Sequence, residues 1–311
     1  MTTLLVAISG GHLTQLRMLA TRVAAEDDVV WLTDDTPQSR SLLDGERVYH
    51  VPTRPPRDLL GVLRDTRIAR RAIIDHDVDR VISTGAQIAL SALIPASVRR
   101  IRFTYIESAT RVTGVSATGR VMERVPWVRR FVQYPHAAND KWGYALSVFD
   151  GFDIAPAEAP GAVQRAVVTV GGNGDFGFRR LIEAAITVLP PDAETLWQVG
   201  STDVSELAID GVRALPQAAL SARMAEADVV IGHAGTGTAL AALAAGKVPI
   251  LSPRSVAHGE HVDGHQHDLA GFLAERGLAV VREPDQISAD DLDLARRWHA
   301  VAASGLPPVR V

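Results

Sequence analysis

His12 follows a glycine pair, Gly10-Gly11, at the end of the apolar run Leu4 to Ile8. An imidazole there can remove a proton from an attacking hydroxyl near neutral pH, or it can cap the next helix or bond a backbone carbonyl. Glu107 closes the run Arg102 to Glu107 and offers a second base, an acceptor-positioning carboxylate, or a plain strand-end acid. A different chemistry is offered by Val230-Ile231-Gly232-His233-Ala234-Gly235-Thr236-Gly237-Thr238, an apolar run, a Gly/Thr turn and then an Ala/Leu run. Glycines let backbone N–H groups approach an anion, and the positive end of a helix dipole adds to the attraction. The expected ligand is a phosphate. Gly235-x-Gly237 alone could be a tight bend, since the third glycine of the dinucleotide fingerprint is missing. Two further turns weigh against that: Gly171-Gly172-Asn173-Gly174 after Ala166 to Val170, and Ser9-Gly10-Gly11 itself.

His258, His261, His265 and His267 place four of ten histidines within ten residues, beside Glu260, Asp263 and Asp268. Such a set could hold zinc. Gly259 and Gly264 make the segment a loop rather than a fixed ligand face, so no metal is expected. Ser201 at the end of Trp197-Gln198-Val199-Gly200 lends a hydroxyl to a nucleotide, and Arg254 after Ser252-Pro253 would neutralise a departing diphosphate or simply be solvated.

The elements that must position these residues alternate. Strands are expected at Leu4 to Ile8, Val29 to Leu32, Arg47 to Val51, Arg80 to Ser83 and Arg102 to Glu107. In the second half they fall at Ala166 to Val170, Thr195 to Val199, Val212 to Ala214, Val229 to Gly232, Pro249 to Ser252 and Leu278 to Val281. Helices are expected at Leu13 to Ala25, Phe178 to Leu189 and Ser288 to Ala303. The alternation predicts an α/β protein with two Rossmann-like parallel-sheet domains facing a cleft, the ligand lying at the carboxyl ends of the strands. Gly151 to Gly161, with Pro156 and Pro160, reads as the connection, which divides the chain into a domain 1–150, a linker 151–164 and a domain 165–311.

The chain of 311 residues is 47% hydrophobic and 22% charged, normal for a globular protein of two domains. It has no cysteine, which removes disulfides and thiolate chemistry. No apolar stretch is long enough to span a bilayer, and the expected location is the cytoplasm. Residues 1–150 carry 20 basic against 16 acidic groups, the remainder 12 against 20. Arg99, Arg100, Arg102, Arg111, Arg120, Arg124, Arg129 and Arg130 are interleaved with Ile101, Phe103, Val121, Trp127 and Phe131. That suits an anionic membrane or a pyrophosphate lipid, or an ordinary solvated face; no nucleic-acid motif accompanies it.

Two nucleotide-type halves with Gly-Gly-His early and a phosphate turn late resemble GT-B glycosyltransferases. The likeness is specific to those whose halves are separate subunits, the dolichol-linked GlcNAc transferase and the bacterial exopolysaccharide pairs. Here the two look fused. Ser9-Gly10-Gly11-His12-Leu13-Thr14-Gln15-Leu16, Phe103-Thr104-Tyr105-Ile106-Glu107-Ser108, Arg111-Val112 and Phe131-Val132-Gln133-Tyr134-Pro135 resemble the acceptor-side subunit. From Val168-Thr169-Val170-Gly171-Gly172 onward, through His233-Ala234-Gly235-Thr236-Gly237-Thr238 and Gly259-Glu260-His261-Val262-Asp263-Gly264-His265-Gln266, the chain resembles the family 28 donor-binding domain. More distantly it is similar to the peptidoglycan enzyme that adds GlcNAc to lipid I.

The resemblance implies an inverting transfer from a UDP-sugar, GlcNAc-like or uronic, to a lipid-linked or small-molecule glycan, with no cofactor besides the donor. Glu260, His261, His265 and Gln266 would meet the donor sugar and phosphate, and Leu215-Pro216-Gln217 would hold the base. Where the peptidoglycan enzyme places an acid for the ribose, this chain has Ala241. Any membrane attachment would be peripheral, because the chain begins directly in a strand. The competing readings are a transferase with a soluble natural-product acceptor, a UDP-sugar 2-epimerase and a noncatalytic donor-binding subunit.

Overall fold

The structure is a computed structural model that describes residues 1–55, 58–158, 161–171, 176–261 and 264–311. The chain divides into two compact units, Met1–Gly151 with Gly305–Val311, and Phe152–Ser304.

Unit 1 alternates β1 (Thr2–Val6), α1 (Gly11–Val23), β2 (Asp28–Asp34), α2 (Pro37–Leu42), β3 (Val48–Val51), α3 (Leu59–Asp75), β4 (Arg80–Ser83), α4 (Ile88–Arg99), β5 (Arg102–Ile106), α5 (Ala117–Glu123), β6 (Arg129–Val132) and β7 (Gly143–Tyr144). The strands form one parallel sheet in the order β3-β2-β1-β4-β5-β6-β7. Central β1 is covered on both faces: Leu4, Leu5 and Val6 are wholly buried, which is why it reads as a continuous apolar run and not an alternating one. Short α2 starts from Thr36, which shares a capping box with Ser39 and is followed by Pro37 at the first turn.

Unit 2 contains β8 (Phe152–Pro156), β9 (Arg165–Thr169), α6 (Arg179–Val188), β10 (Glu194–Gln198), β11 (Gly211–Val212), α7 (Gln217–Glu226), β12 (Val229–His233), α8 (Thr236–Ala244), β13 (Ile250–Ser252), α9 (His265–Glu275), β14 (Val280–Val281), α10 (Ala289–Arg296) and β15 (Trp298–Ala302). Its parallel sheet runs β11-β10-β9-β12-β13-β14, and β8 pairs antiparallel with β15.

Both sheets reverse direction once. In unit 1 the chain fills one side from β1 and then returns to β4 beside it; in unit 2 it does the same from β9 to β12. A crevice opens at the carboxyl ends of such a strand pair, because the connections leave it in opposite directions. The expected Rossmann-like parallel-sheet architecture is therefore present in each unit.

Three expectations need correction. Phe152 to Pro156 lies in the stretch expected as linker but is a strand; its alternation is cut off by Pro156 before it becomes readable, and Pro160 lies outside the described residues. The helix expected to Ala303 stops at Arg296, and Trp298–Ala302 pairs with β8 instead, pairing that a local pattern cannot reveal. The last residues, expected with the second domain, belong to unit 1, where the Val309 N–H donates to the Arg22 carbonyl at 2.9 Å and Val311 is buried.

Candidate active site

In unit 2 the crevice between β9 and β12 is walled by glycine. Gly171 has φ +85°, and a Cβ there would lie 3.0 Å from His233 Cε1. A Cβ on Gly235 would lie 2.3 Å from His233 Nε2. The His233 ring thus packs between two turns that only glycine leaves open. Burial pushes its pKa down to about 3, helped by the charge of Arg254 and opposed by a hydrogen bond to the Thr169 backbone, so the ring is neutral. Thr238 Oγ1 lies 3.2 Å from its Nδ1. Helix α8 then begins at Gly235 with no side-chain cap and no acid in its first turn, and a Cβ on Gly237 would meet only open space. This is the environment of an anion-binding helix terminus.

Arg254, just past β13, supplies a full positive charge to the same edge. It is 7% exposed, donates through Nη2 to the Val170 carbonyl at 2.8 Å and lies over the Phe178 ring, while its buried Nε has no hydrogen-bond partner among the described residues. Burial lowers its pKa, with Glu260 opposing. Gly200 has φ +59°, and a Cβ there would lie 2.6 Å from the Gly171 carbonyl oxygen, so glycine is required on both counts; exposed Ser201 follows it at the same strand ends.

Other expected donor-side residues are occupied internally. Glu260 is tied to Arg180 by two bonds of 2.8 and 2.9 Å and accepts from the Ser255 N–H at 2.9 Å; burial works against its charge, but these partners hold its pKa below the ordinary value. Gln266 accepts from the Arg254 N–H at 3.0 Å and so holds the arginine backbone. His261 and His265 meet edge to face, ring centres 5.5 Å apart, at the start of α9. Among the described residues no three His, Asp or Glu side chains group as metal ligands would. Gln217 opens α7 and contacts Ser221, and the Leu215 N–H expected for a base is taken by Gln198 Oε1 at 2.9 Å. Ala241 is buried in α8. Gly172, Asn173, Gly174 and Asp263 lie outside the described residues.

In unit 1 the crevice between β1 and β4 holds His12, in the first turn of α1. Its Nδ1 lies 2.8 Å from the Thr84 carbonyl oxygen, and Thr84 Oγ1 donates back to the His12 carbonyl at 2.9 Å. A carbonyl only accepts, so the proton resides on Nδ1 and Nε2 carries the lone pair. Burial lowers the His12 pKa, the Thr84 bond opposes, and the charge of Arg111 adds to the lowering. The ring is a neutral base with a set tautomer. Gly85, at φ +113°, allows this approach: a Cβ there would lie 2.9 Å from the Tyr105 hydroxyl and 3.4 Å from His12 Cε1.

Glu107 is 1% exposed. Its Oε1 accepts from the Ser108 N–H at 3.0 Å and its Oε2 from the Ser116 N–H and hydroxyl at 2.9 and 3.0 Å. Burial raises its pKa against these bonds. The carboxylate clamps the loop that follows β5; its lone pairs are engaged inside the fold. Gln15 and Gln133 extend this buried network, Gln15 accepting from the Ala109 N–H at 2.8 Å and Gln133 donating to the Glu107 carbonyl at 3.0 Å. At the Gly10–Gly11 turn two amides are engaged inside the fold: Ser9 N–H donates to Asp34 and Gly10 N–H to Gln38.

With this geometry in hand, the likenesses to known proteins converge. Residues 165–297 match the Glycosyltransferase family 28 C-terminal domain. Over 320 aligned residues, covering 91% of this chain and 85% of the relative, the chain is 28% identical to the UDP-N-acetylglucosamine--N-acetylmuramyl-(pentapeptide) pyrophosphoryl-undecaprenol N-acetylglucosamine transferase of Phenylobacterium zucineum. Its fold matches MurG of Acinetobacter baumannii with a TM-score of 0.58 at 19% identity, over 94% of this chain and 88% of that one. It also matches Os79 of O. sativa in complex with UDP, TM-score 0.57 at 12% identity, over 96% and 90%. The chain is a GT-B glycosyltransferase.

Several residues that build the transferase's two crevices carry no local signal. Thr84, Gly85, Asp34, Gln38 and Arg180 reach them from other elements. The arginine cluster expected as a binding face is partly structural: Arg130 Nη1 donates to the Met122 and Val125 carbonyls, and Arg129 lies over Phe131. Elsewhere in unit 1, α3 and α4 pack side by side and expose both aliphatic and basic side chains. Leu60 (70% exposed), Leu63, Ile94 and Val98 (81%) are exposed on these helices, as are Arg64, Arg67, Arg99 and Arg100. Among the described residues no helix is long and apolar enough to cross a membrane.

Proposed function

We propose that the transferase moves a sugar, N-acetylglucosamine or a close relative, from its UDP-linked form to a hydroxyl of a polyprenyl-diphosphate-linked glycan in cell-surface polysaccharide synthesis. The observation that carries this reading is the β9–β12 crevice, where the glycine turns at Gly171 and Gly235, the uncapped start of α8 and buried Arg254 meet at one sheet edge. Backbone amides and the guanidinium would hold the diphosphate and stabilise charge growing on it as the sugar leaves. The activity named for the P. zucineum relative supports the donor and the lipid-linked acceptor.

In this reading the acceptor hydroxyl approaches unit 1, where His12 Nε2 takes its proton as the bond to the anomeric carbon forms and the bond to the diphosphate breaks. The centre inverts. Glu107 holds the loop that follows β5, and Ser201, His265 and His261 would contact the nucleotide and donor sugar. The two units then stand for the acceptor-side and donor-side subunits of the paired enzymes. The α3–α4 face would rest peripherally on the anionic inner surface of the membrane, aliphatic side chains entering the headgroups and arginines meeting phosphates.

The test is incubation with a panel of UDP-sugars, with and without a polyprenyl-diphosphate-linked acceptor, measuring UDP release and lipid product. Release only with a soluble acceptor would remove the lipid-linked assignment. Leu60→Ser with Val98→Ser should reduce sedimentation with anionic vesicles; unchanged sedimentation would remove the membrane face.

A further inference from the structure

The carboxyl edge of the unit 2 sheet carries its turns side by side: Gly235 after β12, Gly171 after β9, Gly200 after β10 and Leu215 beyond β11. β9 and β11 flank β10, so the strand ahead of Leu215 stands two strand spacings, about 10 Å, from the strand that bears Gly171. A ligand whose phosphates fill the β9–β12 crevice and whose other end reaches along this edge must span β10. One buried side chain spans it too.

Gln198 ends β10, paired in register with Thr169 on one side and Val212 on the other. Its Oε1 accepts from the Leu215 N–H at 2.9 Å, and its Nε2 donates to Thr169 Oγ1 at 2.9 Å. A backbone N–H can only donate, so the Leu215 bond fixes which end of the amide is oxygen and sends the NH₂ group to Thr169. Thr169 Oγ1 also accepts from the Gly171 N–H at 3.2 Å, which fills both of its lone pairs, and the Thr169 backbone bonds the His233 ring. Gln198 and Thr169 are both buried, where a lost bond leaves its partner unsatisfied. The Gly200 turn between them is equally close: its N–H donates to the Arg213 carbonyl at 3.0 Å, and a Cβ there would lie 2.6 Å from the Gly171 carbonyl oxygen. The bonds Leu215–Gln198–Thr169–Gly171 thus join the loop ahead of α7 to the turn after β9.

We propose that Gln198 and Thr169 are positioning residues that hold the Leu215 loop and the Gly171 turn in one register, so that a nucleoside diphosphate binds as a single unit, its phosphates at the crevice and its nucleoside along the β10–β11 edge. The proposal rests on the reading of unit 2 as the UDP-binding half and adds to it the device that couples the two ends of the nucleotide. The affinity gained by linking two fragments depends on their subsites standing at the span of the link. The Leu215 amide, taken by Gln198, fixes where Pro216 and the start of α7 stand.

The test compares UDP, uridine and inorganic pyrophosphate as probes in calorimetric titrations of the full chain. Thr169→Val keeps the shape of the side chain and removes the oxygen that two of the bonds share. UDP affinity should fall roughly tenfold, while uridine and pyrophosphate alone each change by less than about threefold. Thr169→Ser should restore UDP affinity, and Thr169→Val combined with Gln198→Met should be no weaker than either alone, because the bonds act as one unit. In the free chain, hydrogen exchange at the Leu215 amide should quicken in Thr169→Val, although that amide bonds Gln198 and not Thr169. If circular dichroism shows Thr169→Val to be unfolded, Gln198→Met carries the same comparison, with exchange read at Gly171. Unchanged UDP affinity in a folded variant, a pyrophosphate loss as large as the UDP loss, or additive losses in the double variant would overturn the proposal. A wild-type chain that binds no UDP would instead strike the donor reading, and unchanged Leu215 exchange in folded Thr169→Val would then overturn the coupling.

Discussion

The two crevices share a plan and differ in sign. In unit 1 a histidine on the β1 side bonds the Thr84 carbonyl beyond β4; in unit 2 a histidine on β12 bonds the Thr169 backbone at the end of β9. Burial lowers both pKa values and keeps both rings neutral. The neighbouring turns part company. At Ser9–Gly10 the amides face an acid and an amide oxygen, whereas α8 starts without a side-chain cap or an acid and has a buried guanidinium beside it. A strand, a glycine turn and a helix thus make a frame whose polar surroundings are decided by what the adjacent strands send into it.

The largest expected effect tests the first half of that contrast. His12→Ala should lower kcat by roughly 10²–10⁴-fold if Nε2 is the general base, while UDP affinity stays near wild type. Steady-state kinetics beside UDP calorimetry checks this, and wild-type turnover would return His12 to a packing role. In the other crevice, Gly235→Val places a side chain where a Cβ already lies 2.3 Å from His233 Nε2. UDP affinity should fall by roughly 10–100-fold, the loss of one or two charge-assisted bonds to phosphate. Unchanged affinity in a folded variant would remove the phosphate assignment.

Arg254→Gln should weaken UDP by roughly tenfold, since the long-range charge is lost while a polar head remains. The same substitution in the presence of uridine alone should change little, which separates a phosphate contact from damage to the fold. The smallest effects are in pH. With the His12 pKa lowered from 6.5, the acid limb of kcat/KM should lie below that value if His12 is the base, a role that requires the deprotonated ring. His233 sharpens the pairing through stability. Its folded pKa of about 3 lies below its unfolded value, so as pH falls through 6.5 the unfolded chain binds a proton that the folded chain refuses. Stability drops over that window, and His233→Gln should flatten the drop in urea midpoints measured between pH 7 and pH 4.

Legibility followed distance along the chain. The turn from His233 to Thr238 is readable because strand, turn and helix are contiguous, and His12 because glycines precede it. Glu107 is readable as a polar residue ending a strand, but not as a clamp, since that depends on Ser116 across a loop. Glu260 carries the signature of a donor ligand and is engaged by Arg180, eighty positions away. The arginine-rich segment suggests a surface that Arg130 partly spends on carbonyls, while α3 and α4 leave Leu60 and Val98 exposed.

By itself the sequence determined the alternating elements, the two parallel-sheet halves and the places where glycine must stand. These follow from hydrophobic runs and backbone conformations, properties of neighbouring residues. Only the tertiary structure decided which polar groups each turn meets: Asp34 and Gln38 against Ser9 and Gly10, Thr84 against His12, Arg254 against Val170. Hydrogen bonds and charges act over a few ångströms in space, and sheet order brings into that range residues that the chain keeps tens of positions apart.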